Sequence, residues 1–213
     1  MLHSFLDFFL HLDKNLGEIM QHYQTSTYLI LCLIIFCETG LVAMPLLPGD
    51  SLLFAAGMLT ASLGILNIWL LIILLIFSAF LGDNVNYFVG RFFGEKVFEI
   101  QFLKKLIKRK YLEQTQAYYE KHGGKTIIMA RFIPIVRTFA PFAAGLGKMK
   151  YGKYISFSIF GALLWVPLLS LAGYYFGNIP VVKNNFEKVL FAIIGVSLLP
   201  VIIGFLKSKM KSK

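Results

Sequence analysis

Uncharged apolar runs, separated by short polar or proline-bearing breaks, set the pattern of this chain. Segment 154–177, YISFSIFGALLWVPLLSLAGYYFG, holds 24 residues without a charge. At about 1.5 Å per residue, such a helix crosses the roughly 30 Å of bilayer hydrocarbon with some tilt. Segment 189–206, VLFAIIGVSLLPVIIGFL, is uncharged and just long enough to cross. A third run extends from Leu66 through NIWLLIILLIFSAFLG into NYFVG and meets a single charge, Asp83, near its end. The pattern predicts transmembrane helices over 66–90, 154–177 and 187–207.

Two other apolar stretches are too short and too broken to cross. YLILCLIIFC, residues 28–37, supplies about 15 Å of helix before Glu38. ETGLVAMPLLPGD follows, with Pro45, Pro48, Gly49 and Asp50, before SLLFAAGMLTASLGIL climbs back. The second stretch lies between Lys125 and Lys148, and its 22 residues are too few for two full helices. Pro134, Pro141 and Gly145 stand where a returning chain needs its turn. Both stretches therefore predict re-entrant hairpins, a path allowed at membrane depth where protein surrounds the backbone.

The two halves share letters. Phe54-Ala-Ala-Gly57 recurs as Phe142-Ala-Ala-Gly145 at an offset of 88, and Tyr87-Phe88 maps onto Tyr175-Phe176 at the same offset. The expected architecture is an all-α membrane protein built as an inverted-topology repeat of two re-entrant hairpins, each followed by a transmembrane helix. Repeat one takes 28–95, a basic amphipathic linker 96–125, repeat two 126–178 and an added C-terminal transmembrane helix 187–207. Residues 1–27 form an N-terminal amphipathic segment and 208–213 a basic tail.

Composition agrees with a bilayer. The 213 residues are 57% hydrophobic and 15% charged, and the mean hydropathy is +0.71, too oily for one water-soluble core. MLHSFLDFFLHLDKN lacks a basic n-region and a small-residue cleavage site, so no cleavable signal peptide is expected. Cys32 and Cys37 lie in an apolar run without a metal-binding spacing.

Charge placement sets the sides. From Arg91 to Lys125 there are nine bases against four acids, which puts that segment in the cytoplasm. Lys148, Lys150 and Lys153, and the tail KSKMKSK, mark two further cytoplasmic points, so the C-terminus is cytoplasmic in a multi-pass protein of the cell membrane. The first hairpin then enters from outside and the second from the cytoplasm. Segment 96–121 carries Val97, Ile100, Leu103 and Ile107 at helical spacing beside bases, as for a helix lying on anionic headgroups. The net charge of +10 needs no nucleic acid, because the excess sits beside membrane spans.

Four charges in the hairpins need a reason. On an insertion scale a central Arg or Asp costs roughly 2.5–3.5 kcal/mol, so Glu38, Asp50, Arg131 and Arg137 must face one another or water. Counted as helix from Lys125, Arg137 lies about 18 Å in, near the bilayer midplane. Opposed hairpin tips would gather the four in one midplane cavity. There Arg131 and Arg137 offer planar donor forks to a phosphate oxyanion, while Glu38 and Asp50 bind a proton or hold the arginines when no substrate is present. A purely structural ion-pair cluster is the plain alternative. Asp83 and Arg91 frame a GDxxxYxxGR pattern at the end of helix 66–90, either as an interfacial helix end with a snorkelling Arg or as a second contact for a leaving phosphate. Trp69, Trp165, Tyr154, Tyr174 and Tyr175 read as interface or packing aromatics.

Residues for an enzyme are missing from the hairpins: His3, His11, His22 and His122 all fall outside them, and Ser51 beside Asp50 has no base of the usual kind. No metal cluster or GxxxxGK[ST] loop appears in the sequence, so no cofactor is expected and ATP-driven transport by this chain alone is disfavoured.

The motifs together resemble the DedA family of membrane proteins, whose shared region is also called the VTT or SNARE-associated domain. They are Glu38 with PLLPGD and FAAG, GDNVNYFVGRFFG at 82–94, ARFIPIVRTFAPFAAG at 130–145 and GALLW at 161–165. The likeness covers roughly residues 28–178, and Ser158 stands where many members carry Asn. The resemblance implies lipid movement, with bacterial members similar to translocases of undecaprenyl phosphate and eukaryotic relatives scrambling phospholipids. It also implies that Glu38, Asp50, Arg131 and Arg137 are the essential charges and that proton-motive force is involved. Membrane lipids are the expected partners, a homo-oligomer is allowed, and a non-transporting membrane-organising protein or a proton-coupled carrier of a small ion are the competing readings.

Overall fold

The computed structural model describes residues 12–41, 49–97, 131, 134–185, 188, 189, 192 and 195. The described elements are helical, with no strand among them: α1 (Leu12–Tyr23), a 3-10 turn (Gln24–Ser26), α2 (Thr27–Gly40), α3 (Gly49–Leu63), α4 (Ile68–Val97), α5 (Pro134–Leu146), α6 (Tyr151–Phe176) and α7 (Pro180–Asn184). Pro45 and Pro48, the linker beyond Val97, almost all of the last helix 187–207 and the tail 208–213 lie outside the described residues. Among the described residues, three helical stretches are long and apolar enough to cross a membrane: Asn15–Gly40, Ile68–Phe93 and Tyr151–Phe176. Their exposed large side chains, among them Leu29, Trp69, Ile73, Phe77, Phe160 and Leu168, give apolar outer surfaces of the kind that lipid covers.

Local chemistry explains the helix ends. Asn67 caps α4, its Oδ1 accepting from the Trp69 and Leu70 amides at 2.9 and 3.1 Å. Gly64, at φ 65°, supplies the left-handed residue just past α3. At the end of α5 the Met149 amide reaches the Ala144 carbonyl and the Lys148 amide the Gly145 carbonyl, both at 3.0 Å, with Lys148 left-handed at φ 54°. This is a Schellman turn with a lysine where glycine is usual. Met149 packs back on Ala144, Tyr87 and Tyr154, the apolar contact such a turn favours.

Two readings of the second apolar stretch change. Pro141 and Gly145 were expected to turn the chain, but both lie inside α5. Pro134 opens α5, where a missing N–H costs nothing. Pro141 removes one donor within the helix, a loss that neighbouring groups make good in packed membrane helices. Gly49 likewise opens α3. The apolar limb at 28–37 is the later part of a longer helical path that starts in α1 and is interrupted at the 3-10 turn, where Gln24 has φ 44°.

The chain divides into two compact units. Unit one holds Met1–Leu33, Leu46–Leu75 and Leu164–Lys213; unit two holds Ile34–Pro45 and Ile76–Leu163. In unit one α1 packs its buried Leu16 and Met20 side of the helix toward α3, with Gly17 facing Leu59. There α3 also meets α6 without a spacer: a Cβ at Gly57 would strike the Ser170 carbonyl, and one at Gly173 the Phe54 carbonyl. Unit two repeats the device between α5 and α4, with Gly145 against the Tyr87 carbonyl and Gly90 against that of Phe142. Close backbone approach through small residues is a standard way for membrane helices to associate. The two FAAG sequences thus make the same reciprocal glycine contact, each with the long helix of the other half.

Candidate functional site

Unit two gathers its charges from four places in the chain. Glu38 comes from the last turn of α2, Asp83 from the interior of α4, Arg131 from the turn ahead of α5 and Arg137 from the first turn of α5. All four are at most 4% exposed. Arg137 Nη2 donates to Glu38 Oε1, and Arg131 Nη2 donates to Asp83 Oδ2. Two arginines and two carboxylates leave the cluster without net charge, which lowers the cost of burial.

Asp83 differs from its expected surroundings. Because α4 runs on to Val97, Asp83 sits in its interior and is 2% exposed, rather than at an interfacial helix end. Ser158 Oγ of α6 donates to the same Oδ2 at 2.6 Å, while Arg131 Nη2 also lies 3.2 Å from the Ser158 carbonyl and 3.3 Å from its Oγ. The backbone beneath is fixed too: Tyr154 donates its hydroxyl to the Asp83 carbonyl at 2.8 Å, and Tyr151 to Asn84 Oδ1 at 2.7 Å. The Tyr154 ring stacks on Tyr87 at 4.3 Å between centroids. Gly161, the first residue of GALLW, leaves the groove in which Arg131 lies; a Cβ there would come within 2.7 Å of Arg131 Cδ.

Asn86 ties the second pair together. Its Nδ2 donates to the Thr39 carbonyl at 3.0 Å and to the Thr138 carbonyl at 2.7 Å. Those carbonyls belong to the residues that directly follow Glu38 and Arg137, so one buried amide sets the spacing of the two backbones that carry the ion pair. At the crossing of α2 and α4, Gly82 allows the approach, since a Cβ there would strike Thr39 Oγ1.

Arg91 parts company with Asp83. It is exposed, and its Nη1 donates to Tyr87 Oη at 3.0 Å and to the Met149 carbonyl at 3.4 Å, bracing the turn between α5 and α6. Asp50 belongs to unit one, in the first turn of α3, where Trp165 Nε1 donates to its Oδ1 at 2.9 Å. Trp165 and Tyr154 are therefore buried partners of acidic residues, whereas Trp69 and Tyr175 are exposed. Sequence reasoning missed Asn86 and the contacts of Ser158. The usable signal was polar spacing within an apolar helix: Asp83, Asn86 and Gly90 fall at i, i+3 and i+7 on one face of α4.

The VTT domain family matches residues 47–175, a span that includes Asp50, Asp83, Arg131 and Arg137. The chain is 50% identical over 210 residues to protein DedA of Escherichia coli K12, covering 98% of this chain and 95% of that one. An uncharacterised membrane protein of Mycobacterium leprae is 46% identical over 171 residues, 80% of this chain and 76% of the relative. The inner membrane protein YqjA of Escherichia coli K12 is 34% identical over 176 residues, 83% and 78% of the two chains. No solved structure matches the chain.

Proposed function

Because the chain belongs to the DedA family of VTT-domain membrane proteins, we propose that it is a transporter and not an enzyme, carrying a lipid phosphate such as undecaprenyl phosphate across the cell membrane. The phosphate is held by the guanidinium groups of Arg131 and Arg137 while the polyprenyl tail stays in lipid. The observation that carries this reading is the burial of both arginines, at 3% and 4% exposure, with Arg131 paired to Asp83 and Arg137 to Glu38. A guanidinium presents a rigid fork of donors that matches phosphate oxygens as well as it matches a carboxylate. Apolar side chains of similar volume often replace a buried ion pair at little loss of stability, so packing alone does not call for these charges.

Glu38 is assigned as the charge partner that receives Arg137 between cycles, and Glu38 and Asp50 as the carboxylates that take up a proton, giving a route for proton coupling. The re-entrant, inverted arrangement of the two halves is supported by the FAAG repeat and by the paired glycine contacts, Gly57 with Ser170 and Gly145 with Tyr87. Such repeats let a site face the two sides of a membrane in turn. The lysine-rich turns and tail put the C-terminus in the cytoplasm on this reading.

Reconstitution tests the proposal. Purified protein in liposomes speeds the transfer of a labelled polyprenyl phosphate between leaflets, and Arg131→Ala or Arg137→Ala abolishes this in protein that still folds. Transfer at the wild-type rate in both variants overturns the site. Faster transfer of labelled phospholipids instead, with the polyprenyl phosphate unmoved, makes the protein a scramblase.

A further inference from the structure

The two buried ion pairs are built differently. Glu38 and Arg137 have their backbones joined through Asn86, which donates to the carbonyls of Thr39 and Thr138. In the other pair the backbone of the acid is anchored, while Arg131 Nη2 meets the Ser158 carbonyl at 3.2 Å and its Oγ at 3.3 Å. Asp83 sits within the 30-residue α4. Tyr154 and Tyr151 bind the α4 backbone and the next side chain from α6, and Ser158 donates to the carboxylate itself. Arg131 arrives from a turn, three residues before α5 begins, and its stem lies against the buried Gly161 of α6, where an added Cβ would come within 2.7 Å of Cδ.

We propose that Asp83 is a resident competitor for the Arg131 guanidinium, which the phosphate group of the substrate must displace, and that Ser158 stabilises the carboxylate once displaced. The assignment rests on the translocase reading above. Carboxylate and phosphate monoester use the same donor fork, so the two anions exchange on Arg131 without leaving that charge bare. The released carboxylate keeps the Ser158 hydroxyl as donor, and a buried acceptor that retains a hydrogen bond costs far less than one stripped of all partners. When the phosphate departs, Asp83 takes Arg131 back and resets the site. Arg137, set in place through Asn86, is the fixed anchor; Arg131 is the group that changes partner. Asp83 thereby trades affinity for release, because a competitor that occupies the site lowers apparent affinity in proportion to its occupancy.

Two substitutions separate this from a purely structural role, since they shift the substrate dependence in opposite directions. Asp83→Asn keeps an acceptor for Ser158 but removes the competing charge. In liposomes with graded labelled polyprenyl phosphate, half-saturation falls about tenfold and the maximal rate falls with it, as release slows. Ser158→Ala keeps the competitor and removes its support in the displaced state, so half-saturation rises about threefold. Loss of rate in both variants with half-saturation unchanged overturns the inference and leaves the translocase reading standing. If Asp83→Asn does not fold, Ser158→Ala decides alone: a raised half-saturation supports the proposal, and an unchanged or lowered one ends it. Wild-type protein that moves neither the lipid nor inorganic phosphate overturns both readings. Opposed shifts seen only for uptake of inorganic phosphate uphold the competitor and overturn the lipid as substrate.

Discussion

Arg137 and Glu38, 99 residues apart in the chain, form a buried ion pair that joins α5 to α2. Removing one partner leaves the other charge buried, so Glu38→Gln and Arg137→Ala should each cost about 3–5 kcal/mol. Replacing both by apolar residues of similar volume, Glu38→Leu with Arg137→Met, should restore most of that loss. Transport of polyprenyl phosphate should stay absent in the double variant. Thermal unfolding in nanodiscs, run beside the leaflet-transfer assay, separates the two effects. Recovery of transport together with stability would show the pair to be structural.

Asn86 joins the elements that carry that pair, and its loss should be felt without any change in charge. Asn86→Leu removes both donors and leaves the Thr39 and Thr138 carbonyls unsatisfied by it, at a cost of about 1–3 kcal/mol. The expected signature is a lower unfolding temperature together with a reduced maximal transport rate, because Glu38 and Arg137 lose their fixed spacing. An unaltered unfolding temperature would mean that the amide plays no part in holding the helices.

Much of this was legible in the letters. Long uncharged runs predicted spans at 66–90 and 154–177, and α4 and α6 cover all but the first two residues of one and the last of the other. Burial of Glu38, Asp50, Arg131 and Arg137 followed from the cost of charge in lipid. Pairing was less accessible. Asp83 looked like a helix-end residue because composition cannot tell where a long apolar helix stops, and α4 extends seven residues past Gly90. Pro141 and Gly145 looked like turn residues because both disfavour isolated helices; in packed helices a glycine also serves close approach, as Gly145 does against Tyr87. Asn86 escaped notice because its two acceptors are backbone carbonyls, which every residue supplies.

The paired glycine contacts predict a sharp positional contrast. Gly57→Ala and Gly145→Ala each drive a methyl group into a carbonyl of a neighbouring helix, Ser170 and Tyr87 respectively. Each should cost about 1–3 kcal/mol through forced separation of the backbones. Gly152, in the first turn of α6, has nothing within 4 Å of an added Cβ. Gly152→Ala should be neutral or stabilising by about 0.5–1 kcal/mol, the ordinary gain of alanine in a helix. Equal effects at all three positions, read from unfolding temperatures in one lipid, would remove the close-packing explanation.

Trp165 and Asp50 allow charge and support to be varied one at a time. Trp165 is 1% exposed, and its indole N–H is 2.9 Å from Asp50 Oδ1. Trp165→Phe keeps an aromatic ring in the space but deletes the donor, so a buried carboxylate oxygen loses a hydrogen bond at a cost of about 1–3 kcal/mol. Asp50→Asn retains an acceptor for the indole and should cost less, although the first turn of a helix favours a negative side chain by about 0.3–1 kcal/mol. If Asp50 works as a charge in transport, Asp50→Asn abolishes leaflet transfer in stable protein, whereas Trp165→Phe lowers stability and keeps transfer measurable. The reverse ranking, with Asp50→Asn active and Trp165→Phe inactive at a temperature where both are folded, would move the functional role from the carboxylate to the indole.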